Sequence, residues 1–150
     1  MARELHLIVV GKLKDSHLEA IEAEYLKRLH NPQLMIHELK ASAENKLAEG
    51  EAIIKKVKDL GGGHVVALSE WGKTRHSVAF SEWLAPLIER SSRIIFVIAG
   101  AEGFAPEVLS LCQERLSLSE LTFPHKLARI ILIEQLYRAQ TIRTGHPYHN

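Results

Sequence analysis

Apolar residues recur along this chain with two periods, one typical of buried strands and one typical of helices. The stretch "ELHLIVVGK" alternates and then runs apolar, as a strand buried on both faces does. In "LEAIEAEYLKRL" the apolar residues return every three or four positions, which predicts a helix. The predicted strands are 4–12, 33–39, 64–69 and 93–100, the predicted helices are 16–29, 44–60, 77–91, 106–115 and 125–143, and 116–125 is a strand or an extended loop.

Capping residues mark several of these boundaries. Asp15 and Ser16 can cap the first helix, and Ser77 is the predicted N-cap of the third. Three consecutive glycines at 61–63 end the second helix. Pro106 suits the first turn of the fourth helix, because the N–H that proline lacks has no partner within the helix at that position. These local signals agree with the periodic pattern.

Strands that alternate with helices predict an α/β fold with a mostly parallel sheet and helices on both faces. The length of 150 residues suits one domain, so we expect a single domain over residues 1–150. The last helix is apolar most of the way round, which predicts burial on more than one side. We therefore expect a second subunit against this helix, in a two-fold homodimer.

Composition and charge narrow the class of protein. The chain is 46% hydrophobic and 25% charged, which is ordinary for a globular protein, and no apolar run approaches the ~18 residues of a membrane span. We see no secretory leader and expect a cytoplasmic protein. The formal net charge is only +1, but the C-terminal end is locally basic. There Lys126, Arg129, Arg138 and Arg143 stand against Glu134 alone.

Ligands bind beyond the carboxyl ends of the strands in open α/β sheets, and three loops are predicted there. They are "LSEWGKT", "AGAEGFAP" and "LSLSELTFPH". Gly100 and Gly103 in the second loop either let a ligand approach the backbone or only make a tight turn. The third loop could hold an adenine between its apolar side chains, or be a strand that ends in a polar turn. The glycine patterns of a dinucleotide fold and of a phosphate loop are absent.

Other aromatic, sulfur and histidine side chains have structural interpretations. Trp71 and Trp83 are predicted to be packing residues. Cys112 is predicted to be a buried thiol, and as the single cysteine it has no partner for an internal disulfide. His146 and His149 are spaced like a metal pair, but the intervening proline excludes a helix and no third ligand is evident. We therefore predict no metal site.

Three stretches of the sequence resemble one family over essentially the whole chain. They are "LHLIVVGKLKD", "FVIAGAEGF" and "LSLSELTFPHKLARIILIEQLYRAQTIRTGHPYH", of which the last is the most specific. They resemble the ribosomal RNA large-subunit methyltransferase H family, the pseudouridine N3-methyltransferases of the SPOUT class. The resemblance implies a deep trefoil knot, a homodimer and S-adenosylmethionine as the methyl donor. The implied substrate is a pseudouridine in helix 69 of 23S ribosomal RNA, methylated at N3 in assembled ribosomes.

The resemblance also implies a cofactor site in the C-terminal part of the chain, about residues 68–150. The positions that match the family's cofactor contacts are Leu68, Gly100, Ser119, Glu120, Leu121, Thr122, Phe123 and Pro124. Ala99 departs from the family, which usually has a second glycine at this position. A methyl group there could crowd the cofactor or require a negative φ, so Gly100 is the safer contact.

The expected chemistry requires little of the enzyme beyond positioning. A sulfonium methyl group is already activated, so the enzyme has to place N3 in line with it and help N3 lose a proton. No residue is an evident general base. The candidates for holding phosphate, stacking the base or orienting the imide are His125, Arg129, Arg138, Tyr148 and His149. If the terminal "GHPYHN" crosses a dimer interface, its ring side chains would line the partner's cofactor site.

Two other functions fit the same sequence. One is a ribosome-binding assembly or silencing factor without catalysis, in which Ala99 reflects a lost cofactor site. The other is a related SPOUT enzyme that acts on transfer RNA. Binding of S-adenosylmethionine separates the first of these from an enzyme, and the RNA that accepts the methyl group identifies the second.

Overall fold

The computed structural model describes residues 3–42 and 45–150, and these ranges hold five strands and five helices. The strands are β1 (Glu4–Val10), β2 (Leu34–Leu39), β3 (His64–Thr74), β4 (Arg93–Ile98) and β5 (Glu114–Ser117). The helices are α1 (Ser16–Arg28), α2 (Lys46–Leu60), α3 (Ser77–Arg90), α4 (Pro106–Leu111) and α5 (His125–Thr144). The start predicted for the second helix, residue 44, lies outside the described residues.

All five strands pair in one parallel sheet with the order β2-β1-β4-β3-β5. Phe96 of β4 is aligned with Leu7 of β1 on one side and with Val66 of β3 on the other. Parallel neighbours need a crossover connection between them, and the helices supply these connections. The predicted α/β fold with a parallel sheet is therefore confirmed.

Helices cover both faces of the sheet. Successive strand residues point to opposite faces, so each strand contributes apolar side chains to the core on both sides. Leu7 and Val9 belong to the core cluster that contains residues of α3 and α5, and Tyr25 and Leu26 of α1 pack against this cluster. Ile8 and Val10 belong to a second cluster with residues of α2 and α4. This arrangement explains why the strands read as continuous apolar runs rather than as alternating ones. None of the helices in the described ranges is both long and apolar enough to cross a membrane.

The wide apolar surface of α5 is buried largely within its own chain. Leu132 and Leu136 lie in the core cluster together with Phe80 and Leu84 of α3. Helix α5 also packs against α1. Its polar Gln140 is buried as well, and its side-chain oxygen accepts the backbone N–H of residue 30 at 2.8 Å. The apolar pattern of α5 therefore needs no second subunit to explain it, and the homodimer stays a prediction.

The predicted boundary between the fourth helix and the last strand is wrong. Helix α4 ends at Leu111 rather than at residue 115, and β5 begins at Glu114. The backbone N–H of Gln113 donates to the carbonyl oxygen of Val65 at 2.9 Å, and the residues that follow pair with β3. Pairing with β3 therefore overrides the local helical pattern of this stretch.

The N-cap of α3 is His76 and not Ser77. The Nδ1 atom of His76 accepts the backbone N–H of Ala79 at 3.2 Å. The Ser77 hydroxyl instead donates to Oε1 of Gln135 at 2.7 Å, which links the start of α3 to α5. Ring nitrogens are uncommon helix caps, so the usual preference for serine gave the wrong residue.

Candidate functional site

A cavity of about 400 Å³ opens at the carboxyl ends of β3, β4 and β5. Leu68, Ile98 and Leu116, the last core residues of these strands, give it an apolar floor. Its walls come from the three loops that the sequence placed at this edge of the sheet. Specific small-molecule sites have this size and this mainly apolar lining.

A bulge in β3 brings the first of these loops to the cavity. Leu68 and Lys73 both align with Leu116 of β5, so the residues between them leave the ladder. A Cβ atom at Gly72 would lie 2.6 Å from the backbone carbonyl carbon of Arg115. Only glycine, which has no side chain, lets the two backbones come so close. The strand pairs with β5 again at the next residue, Lys73.

The bulge places Glu70 and Trp71 at the cavity, although neither was predicted as a site residue. Trp71 is 82% exposed, so the prediction that it is a packing residue is wrong. Glu70 accepts a hydrogen bond from the hydroxyl of Thr122 and so connects the bulge to the loop after β5. Trp83 has the packing role that was predicted, with its ring centroid 5.6 Å from that of Phe80.

The loop after β5 is held by its own polar groups. The buried Ser117 hydroxyl donates to the carbonyl oxygen of Ser119 at 2.7 Å. The Ser119 hydroxyl in turn accepts the backbone N–H of Leu121 at 3.0 Å. Of the positions matched to cofactor contacts, Glu120 and Pro124 do not line the cavity. Those that do line it are Leu68, Gly100, Ser119, Leu121, Thr122 and Phe123.

Gly100 lines the cavity and also contacts a buried carboxylate behind it. A Cβ atom at Gly100 would lie 2.8 Å from Oε1 of Glu49, which belongs to α2. The residue Glu49 is 8% exposed, and its Oε2 accepts the backbone N–H of Ser42 at 3.0 Å. Its Oε1 has no hydrogen-bond partner among the described residues. The spacing of α2 gave no sign of this contact, because Glu49 reads as one more charged residue on an amphipathic helix.

Ala99 is accommodated without backbone strain. It lines the cavity next to Gly100 and is not among the residues with positive φ. An alanine methyl group is therefore compatible with the conformation of this loop.

The terminal segment 145–150, here called the tail, lies against helices of its own chain. The Tyr148 hydroxyl donates to Oε2 of Glu134 at 2.7 Å and lies 3.3 Å from the Tyr25 hydroxyl. The Arg138 guanidinium lies 4.8 Å from the centre of the Tyr148 ring, and its Nη1 is 2.9 Å from Nδ1 of His149. Burial and these hydrogen bonds raise the pKa of Tyr148, so its phenol stays protonated and does not suit a general base.

The cavity and the tail lie near opposite ends of α5. His125 lines the cavity at the first residue of the helix, whereas Arg138 contacts the tail near the last turn. At ~1.5 Å of rise per residue, the backbones of these two residues are about 20 Å apart. One chain therefore does not bring the predicted cofactor residues and the tail residues together.

Arg129, another candidate for phosphate binding, is committed to the fold. Its Nε and Nη2 donate to the two carboxylate oxygens of Glu22 at 2.6 and 2.9 Å, and its Nη1 donates to Glu38 at 2.8 Å. Burial alone lowers the pKa of Arg129, but the bonds to Glu22 and Glu38 outweigh it and raise the pKa. The residue is 5% exposed, so a phosphate has no access to its guanidinium.

In the part of the chain that the structure describes, no three His, Cys, Asp or Glu side chains are grouped to hold a metal ion.

Comparison with known proteins defines the class to which this fold and cavity belong. The family described as "Predicted SPOUT methyltransferase" matches residues 3–149. The SpoU methyltransferase AviRb from Streptomyces viridochromogenes, solved in complex with the cofactor AdoMet, has a similar fold with a TM-score of 0.53 at 9% identity. The similarity covers 93% of this chain and 59% of that longer one. The parallel sheet of this chain, with its cavity at the carboxyl ends of the strands, is therefore the fold of a SPOUT methyltransferase.

Full-length relatives identify the family within that class. The ribosomal RNA large subunit methyltransferase H of Synechococcus sp. is 43% identical over 145 residues, which cover 97% of this chain and 93% of the relative. The protein of the same name from Bacillus cytotoxicus is 40% identical over 156 residues, covering 97% of this chain and 98% of the relative. This chain belongs to the ribosomal RNA large subunit methyltransferase H family.

Proposed function

We propose that this protein transfers the methyl group of S-adenosylmethionine to N3 of a pseudouridine in helix 69 of 23S ribosomal RNA. It acts in the cytoplasm on assembled ribosomes. The observation that carries the proposal is the cavity of about 400 Å³, which is built from the segments that match the family's cofactor contacts. The name shared by the relatives supports ribosomal RNA as the substrate class. The choice of nucleotide rests on the resemblance of the C-terminal third.

The residues around the cavity fit this cofactor. The apolar floor formed by Leu68, Ile98 and Leu116 suits the faces of an adenine. The loop after β5 supplies backbone groups that can read the edge of the base. The backbone of Gly100 lines the cavity, and a side chain at this position would point at Glu49 rather than at the cofactor. Behind this glycine, the unpaired oxygen of Glu49 places negative charge near a ligand that carries positive charge.

The chain contributes mainly positioning to the reaction. S-adenosylmethionine supplies an activated methyl group, so the protein has to hold N3 in line and exclude water. His125 stands at the cavity, where its ring can orient the imide of the base. Arg138 donates to Glu134 at 2.7 Å and to Nδ1 of His149 at 2.9 Å, so its guanidinium would have to exchange one of these bonds to bind a phosphate oxygen. Tyr148 has a ring that suits base stacking, with the Arg138 guanidinium against one of its faces.

The residues that line the cavity and the residues of the tail form one site only if two chains combine. This is the basis for proposing a homodimer. Along α5, Arg138 at the tail is about 20 Å from His125 at the cavity of the same chain. In a two-fold dimer the tail of each subunit reaches the cavity of the other and completes two equivalent sites. The resemblance also implies that the chain is knotted, which stays a prediction.

The test of the proposed reaction is methyl transfer from labelled S-adenosylmethionine to RNA from cells that lack this protein. Assembled ribosomes, free large subunits and transfer RNA are offered separately, and the labelled nucleotide is mapped by nuclease digestion. We expect label in a helix-69 pseudouridine of assembled ribosomes. Label in transfer RNA would contradict the substrate. Ribosome binding without any methyl transfer or cofactor binding would identify a non-catalytic factor instead.

Deletion of residues 146–150 tests the role of the tail. The tail packs on the surface of α1 and α5, so we expect its removal to leave the fold and cofactor binding intact. We expect methyl transfer to be lost. Turnover at the wild-type rate would show that the tail takes no part in the site.

A further inference from the structure

The carboxylate of Glu49 is the one buried side-chain group whose oxygen lacks a hydrogen-bond partner in the part of the chain that the structure describes. The residue is more than nine-tenths buried beneath the loop that joins β4 to α4. Its Oε2 has a donor in the backbone of Ser42, whereas Oε1 is directed at Gly100. Burying a carboxylate oxygen without a donor or a cation destabilises the fold.

The position of Glu49 next to the cavity suggests what compensates the destabilisation caused by its buried, unpaired oxygen. Gly100 lines the cavity, and the side chain it lacks would point into Oε1 of Glu49 at 2.8 Å. Glu49 itself does not line the cavity, so a single glycine separates its charge from the ligand. Oε1 of Glu49 is buried from solvent, and a charge interaction over so short a distance in such surroundings is weakly screened.

We propose that Glu49 is a positioning residue that favours the positively charged form of the cofactor by acting across Gly100. This inference rests on the proposed use of S-adenosylmethionine. The sulfonium of S-adenosylmethionine carries a positive charge that the thioether S-adenosylhomocysteine, the product of methyl transfer, lacks. Glu49 therefore attracts the substrate cofactor and loses this attraction when the methyl group leaves, which also favours release of the product.

The two forms of the cofactor provide a direct test, because they differ by one methyl group and one charge. Binding of each is measured by titration calorimetry on the purified full chain. Glu49→Gln removes the charge but keeps an oxygen that can accept the N–H of Ser42. Glu49→Met removes the charge and the polar group together, so the test does not depend on one variant folding. Glu51→Gln is the matched control, because Glu51 is an exposed residue of the same helix.

We expect both substitutions at Glu49 to weaken binding of S-adenosylmethionine about tenfold while the affinity for S-adenosylhomocysteine changes less than about twofold. The control should change neither affinity. Without cofactor, Glu49→Gln should melt no lower than the wild type, because it removes an unpaired buried charge.

Two results would overturn the inference and leave the proposed function standing. One is an equal loss of affinity for both ligands, which would mean that Glu49 only supports the loop. The other is unchanged affinity for both. A wild-type protein that binds neither ligand would contradict the inference and the proposed function together.

Discussion

The buried charge cluster around Arg129 leads to a prediction that separates a structural residue from a substrate contact. The guanidinium makes three hydrogen bonds to Glu22 and Glu38 and joins α5 to α1 and β2. Its side chain is 6% exposed, and that of Glu22 is 11% exposed. In Arg129→Met the methionine fills part of the volume, but Glu22 keeps its charge in a site that water scarcely reaches.

The expected loss follows from what remains after the substitution. Breaking a buried ion pair from one side costs about 3–5 kcal/mol, because the other charge stays buried without a partner. The side chain of Glu38 is 31% exposed and can turn to solvent, so most of the cost comes from Glu22. For a chain of this length the melting temperature should fall by about 6–20 °C. Since folded domains have about 5–15 kcal/mol of stability, the variant should fold but be markedly weakened.

The assay is equilibrium unfolding in urea, followed by near-ultraviolet circular dichroism. Arg28→Met is the matched control, because Arg28 pairs with Glu24 on the exposed side of α1 and should lose less than about 1 kcal/mol. Adding Glu22→Leu to Arg129→Met should recover most of the stability, because it removes the unpaired charge. A loss in Arg129→Met no larger than that in the control would refute this reasoning. So would a failure of the second substitution to recover stability.

Three further predictions concern single side chains. Burial and the nearby charge of Lys56 lower the pKa of His37 in the folded chain. The unfolded chain therefore takes up the proton at a higher pH than the folded chain does, so the free energy of unfolding should fall as the pH drops below 6.5. His37→Gln should lessen this fall between roughly pH 7.5 and 5.5. Burial raises the pKa of Cys112 to about 11, so its alkylation by iodoacetamide at pH 8 should be on the order of 10²-fold slower than that of an unstructured cysteine peptide. The structure shows Cys112 as half-buried, so the prediction of a fully buried thiol is wrong, and equal rates would contradict even this partial burial. In urea unfolding, Trp71→Ala should cost less than about 0.5 kcal/mol, since the ring is exposed, whereas Trp83→Ala should cost about 3–5 kcal/mol.

The parallel fold could be predicted because the strands carry a strong local signal. Buried runs such as the one that contains Leu7 and Ile8 must be covered on both sides, and the helical stretches between them supply the cover. The end of α4 could not be predicted in this way. Residues 113–115 fit a helix locally, and only the edge of β3, which is distant in the sequence, draws them into the sheet.

The site was predictable at the level of loops but not of every side chain. The rule that ligands bind at the carboxyl edge selected all three loops, and the structure brings them together. The exposure of Trp71 depends on the bulge before Gly72, which no local pattern indicated. The burial of Arg129 depends on two carboxylates from distant elements. Contacts between distant segments decide which charged residues are available to a ligand, and one sequence does not show them.

Recovery of activity from two inactive variants tests the central claim, that each site joins the cavity of one subunit to the tail of another. Gly100→Val disturbs the cavity by driving a side chain into Glu49, and deletion of 146–150 removes the tail. The two proteins are unfolded together and refolded, and methyl transfer to ribosomes is measured. Random pairing should restore about a quarter of the wild-type activity, since half of the dimers are mixed and each holds one intact site. Activity no higher than that of the separate variants would contradict a shared site.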